Sequence, residues 1–358
     1  MKKKRVVVGL SGGVDSAVAA LLLVQQGYDV LGVFMKNWED DSPECTTEND
    51  QRDARLVADT LGIPFYTFNF VKEYWDRVFT YFLETYAAGQ TPNPDILCNK
   101  EIKFKAYLEK AMQLDADFIA TGHYARLARQ ANSVQLLKGI DPGKDQSYFL
   151  YAVPEKALLK SLFPLGNLMK TDVRQLAKSA GLHNWNRKDS VGICFIGERK
   201  FKTFLEGYLP GTKGDMVDLD GHVKARHDGL MFYTIGQRQG LGIGGPGAPW
   251  FVAAKNLKRN QLIVVQGADH PALFSKGLSC SDLFLINGEK PDLPFRCRAK
   301  IRYRQPDQDC QIIKEKNSQW IVRFDLPQKA VSPGQAIVFY RDDVCLGGAV
   351  IDGPIRDF

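Results

Sequence analysis

RVVVGLSGGVDS at residues 5–16, running on into AVAALLLVQQG, limits the possible folds more than any other stretch. Three consecutive valines between charge and glycine read as a strand buried on both faces, the pattern of an inner parallel strand. Ala17–Gln26 reads as a helix stopped by Gly27, and Asp29–Lys36 (DVLGVFMK) as a second buried strand. Together they form a βαβ unit. The alternation continues with a helix over Asp50–Leu61, a strand in IPFYTFNF, helices over Glu73–Ala88 and Ile102–Leu114, and a strand in ADFIATGHYA that runs into a loop. This predicts an α/β domain with a mostly parallel, doubly wound sheet, whose ligands sit at the carboxyl ends of the strands.

After about Gly207 the pattern changes. Glycine and proline become frequent and long helical periods disappear. QLIVVQG, FRCRAKIRYR, QWIVRF and QAIVFYR read as short antiparallel strands. The expected division is an α/β domain over 1–205, a small mainly-β central domain over 206–274 and an antiparallel β-barrel-like domain over 275–358.

The 358 residues are 44% hydrophobic and 25% charged, with a net charge of +6. These values fit a globular chain and permit a polyanionic partner without requiring one. No apolar run approaches the roughly 20 residues that cross a membrane. VVVGL is too short for a signal peptide, and Gly, Asp and Ser follow it. Seven cysteines show no pairing rhythm, which argues for free or catalytic thiols in a cytoplasmic protein. No Cys-x-x-Cys pair occurs, so neither zinc nor an iron–sulfur cluster is expected.

The loop between the first strand and helix offers backbone N–H groups and a helix N-terminus to an anion, with Ser11 and Ser16 as further donors. It lacks the Gly-Lys-Ser/Thr ending of the usual nucleoside-triphosphate loop. SGGVDS resembles the pyrophosphate-binding loop of the ATP-pyrophosphatase (adenine nucleotide α-hydrolase-like) superfamily. The resemblance implies that Gly9, Leu10, Ser11, Gly12, Gly13, Val14, Asp15 and Ser16 hold the departing pyrophosphate of ATP while the α-phosphorus is attacked. It also implies that Asp15 helps to hold Mg²⁺ and that Met35 lies beside adenine, although its spacing alone suits a core residue as well.

A pyrophosphate loop does not name the acceptor. In TPNPDILCNKEIKF, Pro92 and Pro94 stiffen a turn ahead of Asp95 and Cys98, which share a face if the segment is helical. The carboxylate can move protons but raises the thiol pKa, while Lys100 and Lys103 can offset that charge. A second thiol, Cys194 in DSVGICFIGERKF, also lies outside any clean helical or strand period. Two thiols from distant segments can carry and resolve a persulfide. Cys45 sits in an acidic loop with no assigned role, and Cys280, Cys297, Cys310 and Cys345 read as packing.

GLSGGVDS, FMKNW, TPNPDILCNKEIKF, ATGHYAR, KDQSYFL, VGICFIGERKF, YTIGQRQGLGIGG and RYRQ occur in an order that resembles the tRNA-specific 2-thiouridylase family over nearly the whole chain. That resemblance implies an ATP-dependent sulfurtransferase acting on the wobble uridine of tRNA. The uridine O2 is adenylated and a persulfide sulfur then displaces AMP. Cys194 would carry the persulfide. Cys98 would be the nucleophile that releases hydrosulfide or closes a transient Cys98–Cys194 disulfide, and Asp95 the acid/base. Asn93, Pro94 and Asp95 would line the uridine pocket, with Gly122 by the nucleotide. His123, Lys144, Asp145, Gln146, Arg302, Tyr303 and Gln335 would face the tRNA. The implied partners are tRNA and a sulfur donor, either a cysteine desulfurase or a relay protein, acting on a monomer.

FRCRAKIRYR also bears on RNA without the family. If it is one strand, Arg296, Arg298, Lys300, Arg302 and Arg304 share a face at about 6.6 Å spacing, matching an extended phosphate backbone unless neighbouring acids answer them. Two other functions remain open on the residues alone. A small-molecule ligase with the same loop would need neither thiol, and a non-catalytic RNA-binding protein would keep the loop only as scaffold.

Overall fold

The computed structural model describes residues 3–39, 47–189, 201–316 and 319–356. Arg5–Gly9 (β1) lies between Asp29–Lys36 (β2) and Phe118–Ala120 (β4), with Phe65–Asn69 (β3) and Ser161–Leu162 (β7) at the edges. The order is β3-β2-β1-β4-β7, and every pairing is parallel. Val6, Val7 and Val8 are fully buried because β1 has a strand on each side and helices on both faces. The first helix, α1, covers Val14–Gln25, three residues ahead of its predicted start, and Gly27 ends the segment at φ +84°.

Two predicted elements differ in extent. The helix expected from Ile102 begins at Pro94: Pro94–Leu97 leads into π-helical Cys98–Ala106 and then Tyr107–Met112. Proline suits the first helical position, where its fixed φ helps and its missing N–H is not needed. In ADFIATGHYA the parallel strand is only Phe118–Ala120. The chain then leaves the parallel sheet, and Ala125–Arg129 (β5) pairs with Val134–Lys138 (β6). This hairpin joins the C-terminal sheet, with Leu137 opposite Val344.

The central region contains Gly214–Val217 (β8), Val223–His227 (β9), Trp250–Asn256 (β10) and Gln261–Gln266 (β11) in the order β10-β11-β8-β9. Beyond it come Phe274–Leu285 (β12), Phe295–Lys300 (β13), Gln308–Lys316 (β14), Gln319–Lys329 (β15), Ala336–Arg341 (β16) and Val344–Ile355 (β17). Their order is β12-β15-β14-β13-β16-β17, and β12 also pairs with β17, closing a six-stranded antiparallel barrel. Cys280, Cys297 and Cys310 pack inside this barrel, and Cys345 is buried where it meets the α/β part. Among the described residues no helix is long and apolar enough to cross a membrane.

Candidate active site

The loop leaves β1 at its carboxyl end. Leu10 N donates to Val33 O at 2.8 Å, tying the exit to β2. Gly12 takes φ +79°, and a Cβ there would stand 2.7 Å from Asp50 O. Ser16, buried in the first turn of α1, donates through Oγ to Gly13 O at 3.0 Å and accepts from Ser11 N at 3.1 Å. The turn is thus shaped before any ligand arrives. The N–H groups of the first turn of α1 have no helical acceptor and point back toward it.

The loop has no lysine of its own, but the fold supplies one. Lys170, at the start of the helix Lys170–Ser179, donates to both oxygens of Asp15, at 2.7 and 2.8 Å. Its ammonium also lies 2.8 Å from Asp189, which pairs with Lys144 and Arg174. Burial pushes the Asp189 carboxyl up, but the Lys144 and Lys170 ammonium groups outweigh it and hold it at about 2. Tyr124 donates its hydroxyl to Asp15 at 2.7 Å. Arg187 pairs with Asp50 and Asp53 and, with Asn184, donates to Gly12 O. The sequence reading missed Lys170, Asp189, Asn184 and Arg187, since nothing in the local sequence links residues 170–189 to the loop.

The expected metal ligand is therefore engaged. Both oxygens of Asp15 are satisfied by an ammonium and a phenol, so the residues present do not fit a Mg²⁺ ion held on this carboxylate.

The carboxyl end of β4 joins the loop to the thiol. A Cβ on Gly122 would lie 2.8 Å from the Asp15 carbonyl carbon and 2.8 Å from Ser16 N, so backbone packs on backbone there. The next residue, His123, is buried between the rings of Phe104 and Phe163 and shares a 2.7 Å hydrogen bond with Thr121 Oγ1. It faces the helix that carries Cys98. Burial, and then the charge of Lys103, hold the imidazole well below its ordinary value, so it is neutral. Cys98 is 1% exposed. Burial pushes its thiol up to about 11, with Lys103 opposing the rise and Asp95 adding to it. Lys103 is thus the offsetting cation, while Lys100 lies near Glu101. The i→i+5 spacing of a π-helix stacks residue 103 over residue 98, and such turns are often found at functional sites. Met35 lies against Gly9, where a Cβ would be 2.9 Å from its Cε. Cys194 and Cys45 lie outside the described residues.

Of the residues expected to face tRNA, His123 and Asp145 are buried, Lys144, Gln146, Tyr303 and Gln335 are partly covered, and Arg302 is exposed. Asp145 is buried, accepting from Gly139 N, Ser147 N and Ser147 Oγ. Gln146 bonds Tyr124 twice, through Oε1 from Tyr124 N at 3.0 Å and through its own N to Tyr124 O at 2.8 Å. Tyr303 packs on Phe149 with centroids 4.5 Å apart. Arg302 donates to Ile235 O and Ala330 O, each at 3.1 Å. Gln335 donates to Thr91 O at 2.9 Å, just ahead of Asn93 and Pro94.

Three family models cover almost the entire chain: a tRNA methyl transferase HUP domain over residues 4–198, a tRNA methyl transferase PRC-barrel domain over 202–266 and an aminomethyltransferase beta-barrel domain over 275–351. The tRNA-specific 2-thiouridylase MnmA 1 of Geobacillus kaustophilus is 58% identical over 99% of this chain and 97% of its own length. The tRNA-specific 2-thiouridylases MnmA of Alkaliphilus oremlandii and Francisella tularensis are 56% and 57% identical, over 99% and 98% of this chain. The chain belongs to the tRNA-specific 2-thiouridylase family.

Within this family member, the basic stripe of residues 295–304 needs correction. The strand ends at Lys300, and Arg302 and Arg304 lie in the irregular segment that follows. Arg296 pairs with Asp325 and Arg298 with Asp309, while half-buried Lys300 sits 3.6 Å from Asp145 and 3.7 Å from Asp307. Neighbouring acids answer these charges, and no five-residue phosphate track exists. Lys300→Glu should therefore destabilise the fold by about 3 kcal/mol, because it places three carboxylates in one poorly hydrated site. Arg298→Glu, on an exposed pair, should cost under about 1 kcal/mol. Urea unfolding of both variants measures the contrast; equal effects would show that Lys300 is not enclosed as described.

Gly122→Ala tests how the strand meets the loop. Its methyl meets backbone that cannot move without moving the loop. ATP affinity should fall at least about tenfold, about 1.4 kcal/mol, by calorimetric titration. Unchanged affinity would separate this glycine from the nucleotide site.

Proposed function

We propose that this chain catalyses ATP-dependent 2-thiolation of the wobble uridine of tRNA. One observation carries the reading. Gly122 and His123 join the anion loop directly to the helix bearing Cys98, so a nucleotide site and a thiol share one wall. The full-length relatives supply the substrate class.

In this mechanism ATP lies with its β- and γ-phosphates against Ser11–Ser16 and the amino end of α1. The uridine O2 attacks the α-phosphorus, the bond to the bridging oxygen breaks, and pyrophosphate leaves. Arg187 and Lys170, paired with Asp50, Asp53, Asp15 and Asp189, hold the loop in shape where the leaving group sits, and the backbone N–H groups at the amino end of α1 face the negative charge that collects on it. Magnesium would come with the triphosphate and not on Asp15. The base must leave its stack to reach the thiol, and Asn93-Pro94-Asp95 would receive it. The terminal sulfur of a Cys194 persulfide then attacks C2, and AMP departs with its electron pair. Cys98 attacks the inner sulfur to free the product, or frees hydrosulfide beforehand; either route closes a Cys98–Cys194 disulfide that an external thiol must reduce. Asp95, three residues before Cys98 on the same helical turn, takes or gives the proton.

Lys144 and the exposed Arg302 would approach the RNA, while Asp145, Gln146 and Tyr303 support that surface from beneath. A cysteine desulfurase or a relay protein would load Cys194, and we place a monomeric enzyme in the cytoplasm. The protein incubated with tRNA, ATP and a persulfide donor should yield 2-thiouridine, AMP and pyrophosphate, read by nucleoside mass spectrometry. AMP without a thiolated nucleoside, or bound tRNA without AMP, would overturn the reading.

A further inference from the structure

The turn ahead of the thiol helix is held by the two β-rich domains. Thr91 N donates to Pro333 O at 2.9 Å, and Gln335 Nε2 donates to Thr91 O at 2.9 Å and Pro92 O at 3.4 Å. Both backbone groups of Thr91 are therefore bonded by one turn of the C-terminal barrel. Gly334 brings that turn close: its φ is +86°, and a Cβ on it would lie 2.9 Å from Thr91 N. The turn is itself fixed to β17, since Gly334 N donates to Ile351 O at 2.9 Å and Ile351 N to Gln335 O at 2.8 Å.

The central domain grips the same segment. Lys255, from β10, donates to Gly89 O at 2.8 Å, and the hydroxyls of Thr91 and Thr234 lie 3.4 Å apart. Arg302 links the two gripping domains through Ile235 O and Ala330 O. Pro92 and Pro94 remove two backbone donors and fix two φ angles, so a displacement at Thr91 passes to Asp95 and Cys98 with little loss in between.

We propose that Gln335 is a positioning residue that, with Pro333, sets the placement of the Asn93–Cys98 segment, so that the barrel aligns the thiol helix instead of only offering a surface to tRNA. The proposal rests on the reading that Asp95 and Cys98 perform the thiolation. It differs from the family expectation in giving the Gln335 amide to Thr91 and Pro92 and not to RNA.

The test compares Gln335→Ala and Gln335→Glu with the wild type in the full-length enzyme. Glu keeps the size but replaces a donor by an acceptor facing two carbonyls. Three quantities are read: tRNA Kd, kcat for thiolation, and amide hydrogen exchange over residues 91–99 without tRNA. A positioning role predicts kcat down at least about tenfold in both variants, tRNA Kd within twofold and faster exchange at residues 95–99, with Gln335→Glu the more severe. A raised Kd with unchanged kcat and unchanged exchange would make Gln335 an RNA contact and overturn the proposal, as would no change in any of the three. If the wild type itself thiolates nothing, the functional reading fails, but the exchange comparison still decides whether Gln335 holds the segment.

Discussion

Cys98→Ser will lower 2-thiouridine formation by at least about 10³-fold while tRNA binding, ATP binding and pyrophosphate release persist. Serine keeps the shape of the side chain, but its hydroxyl neither attacks a persulfide nor closes a disulfide. The site of the change is fully enclosed, so one buried hydroxyl costs about 1 to 3 kcal/mol of stability if it finds no partner. That is too little to unfold a typical domain. The loop's own contacts, through Ser16, Asn184 and Arg187, do not involve Cys98, which is why adenylation should survive. A small-molecule ligase would lose nothing from this substitution, and full activity in Cys98→Ser would favour that alternative. The burial that pushes the Cys98 thiol up to about 11 adds a second readout. Alkylation of the free enzyme at Cys98 should still be rising with pH at pH 9, rising roughly tenfold per unit while the thiol is mostly protonated. A plateau below pH 8 would mean that Lys103 offsets far more of the burial than this geometry implies.

The parallel sheet was legible because β1 and β2 are buried on both faces, and that burial writes itself as unbroken runs such as RVVVG and DVLGVF. The loop was legible because Gly12 needs a positive φ and close approach, demands that limit the residue type. The start of the thiol helix was not, since two prolines in four residues read equally as a turn or as a helix entrance, and the contacts made there, Asn99 with Phe149 O and Gln335 with Thr91 O, come from residues far along the chain. The hairpin Ala125–Lys138 was missed because its partner strand lies some two hundred residues away. The basic strand misled for a related reason. Alternation correctly placed Cys297 and Ala299 inward, but the acids that answer Arg296, Arg298 and Lys300 come from other strands and from Asp145, out of reach of any local pattern.

The second large effect follows from the lysine that the loop lacks. Lys170→Met removes the one ammonium shared by Asp15 and Asp189, and Lys170 is 11% exposed against 33% and 32% for the two carboxylates. Fully buried pairs cost about 3–5 kcal/mol to break; water reaches these carboxylates, which brings the expectation to about 2–3 kcal/mol, or a melting temperature lower by roughly 5–10 °C. ATP binding should weaken as well, because Asp15 then faces the triphosphate with its charge unanswered. The sign with pH separates this account from simple loss of packing. Asp189 is held at about 2, below its ordinary 3.8, so its charge contributes stability that is full above 3.8 and lost as pH falls toward 2. The stability gap between wild type and Lys170→Met should accordingly be widest near neutral pH and shrink below about pH 4, where Asp189 of the variant takes up a proton and no longer needs the ammonium. Urea unfolding at pH 7 and at about pH 2.5, inside that window, measures both gaps. A gap that stays constant between the two would assign Lys170 a packing role and detach it from the charge of the loop.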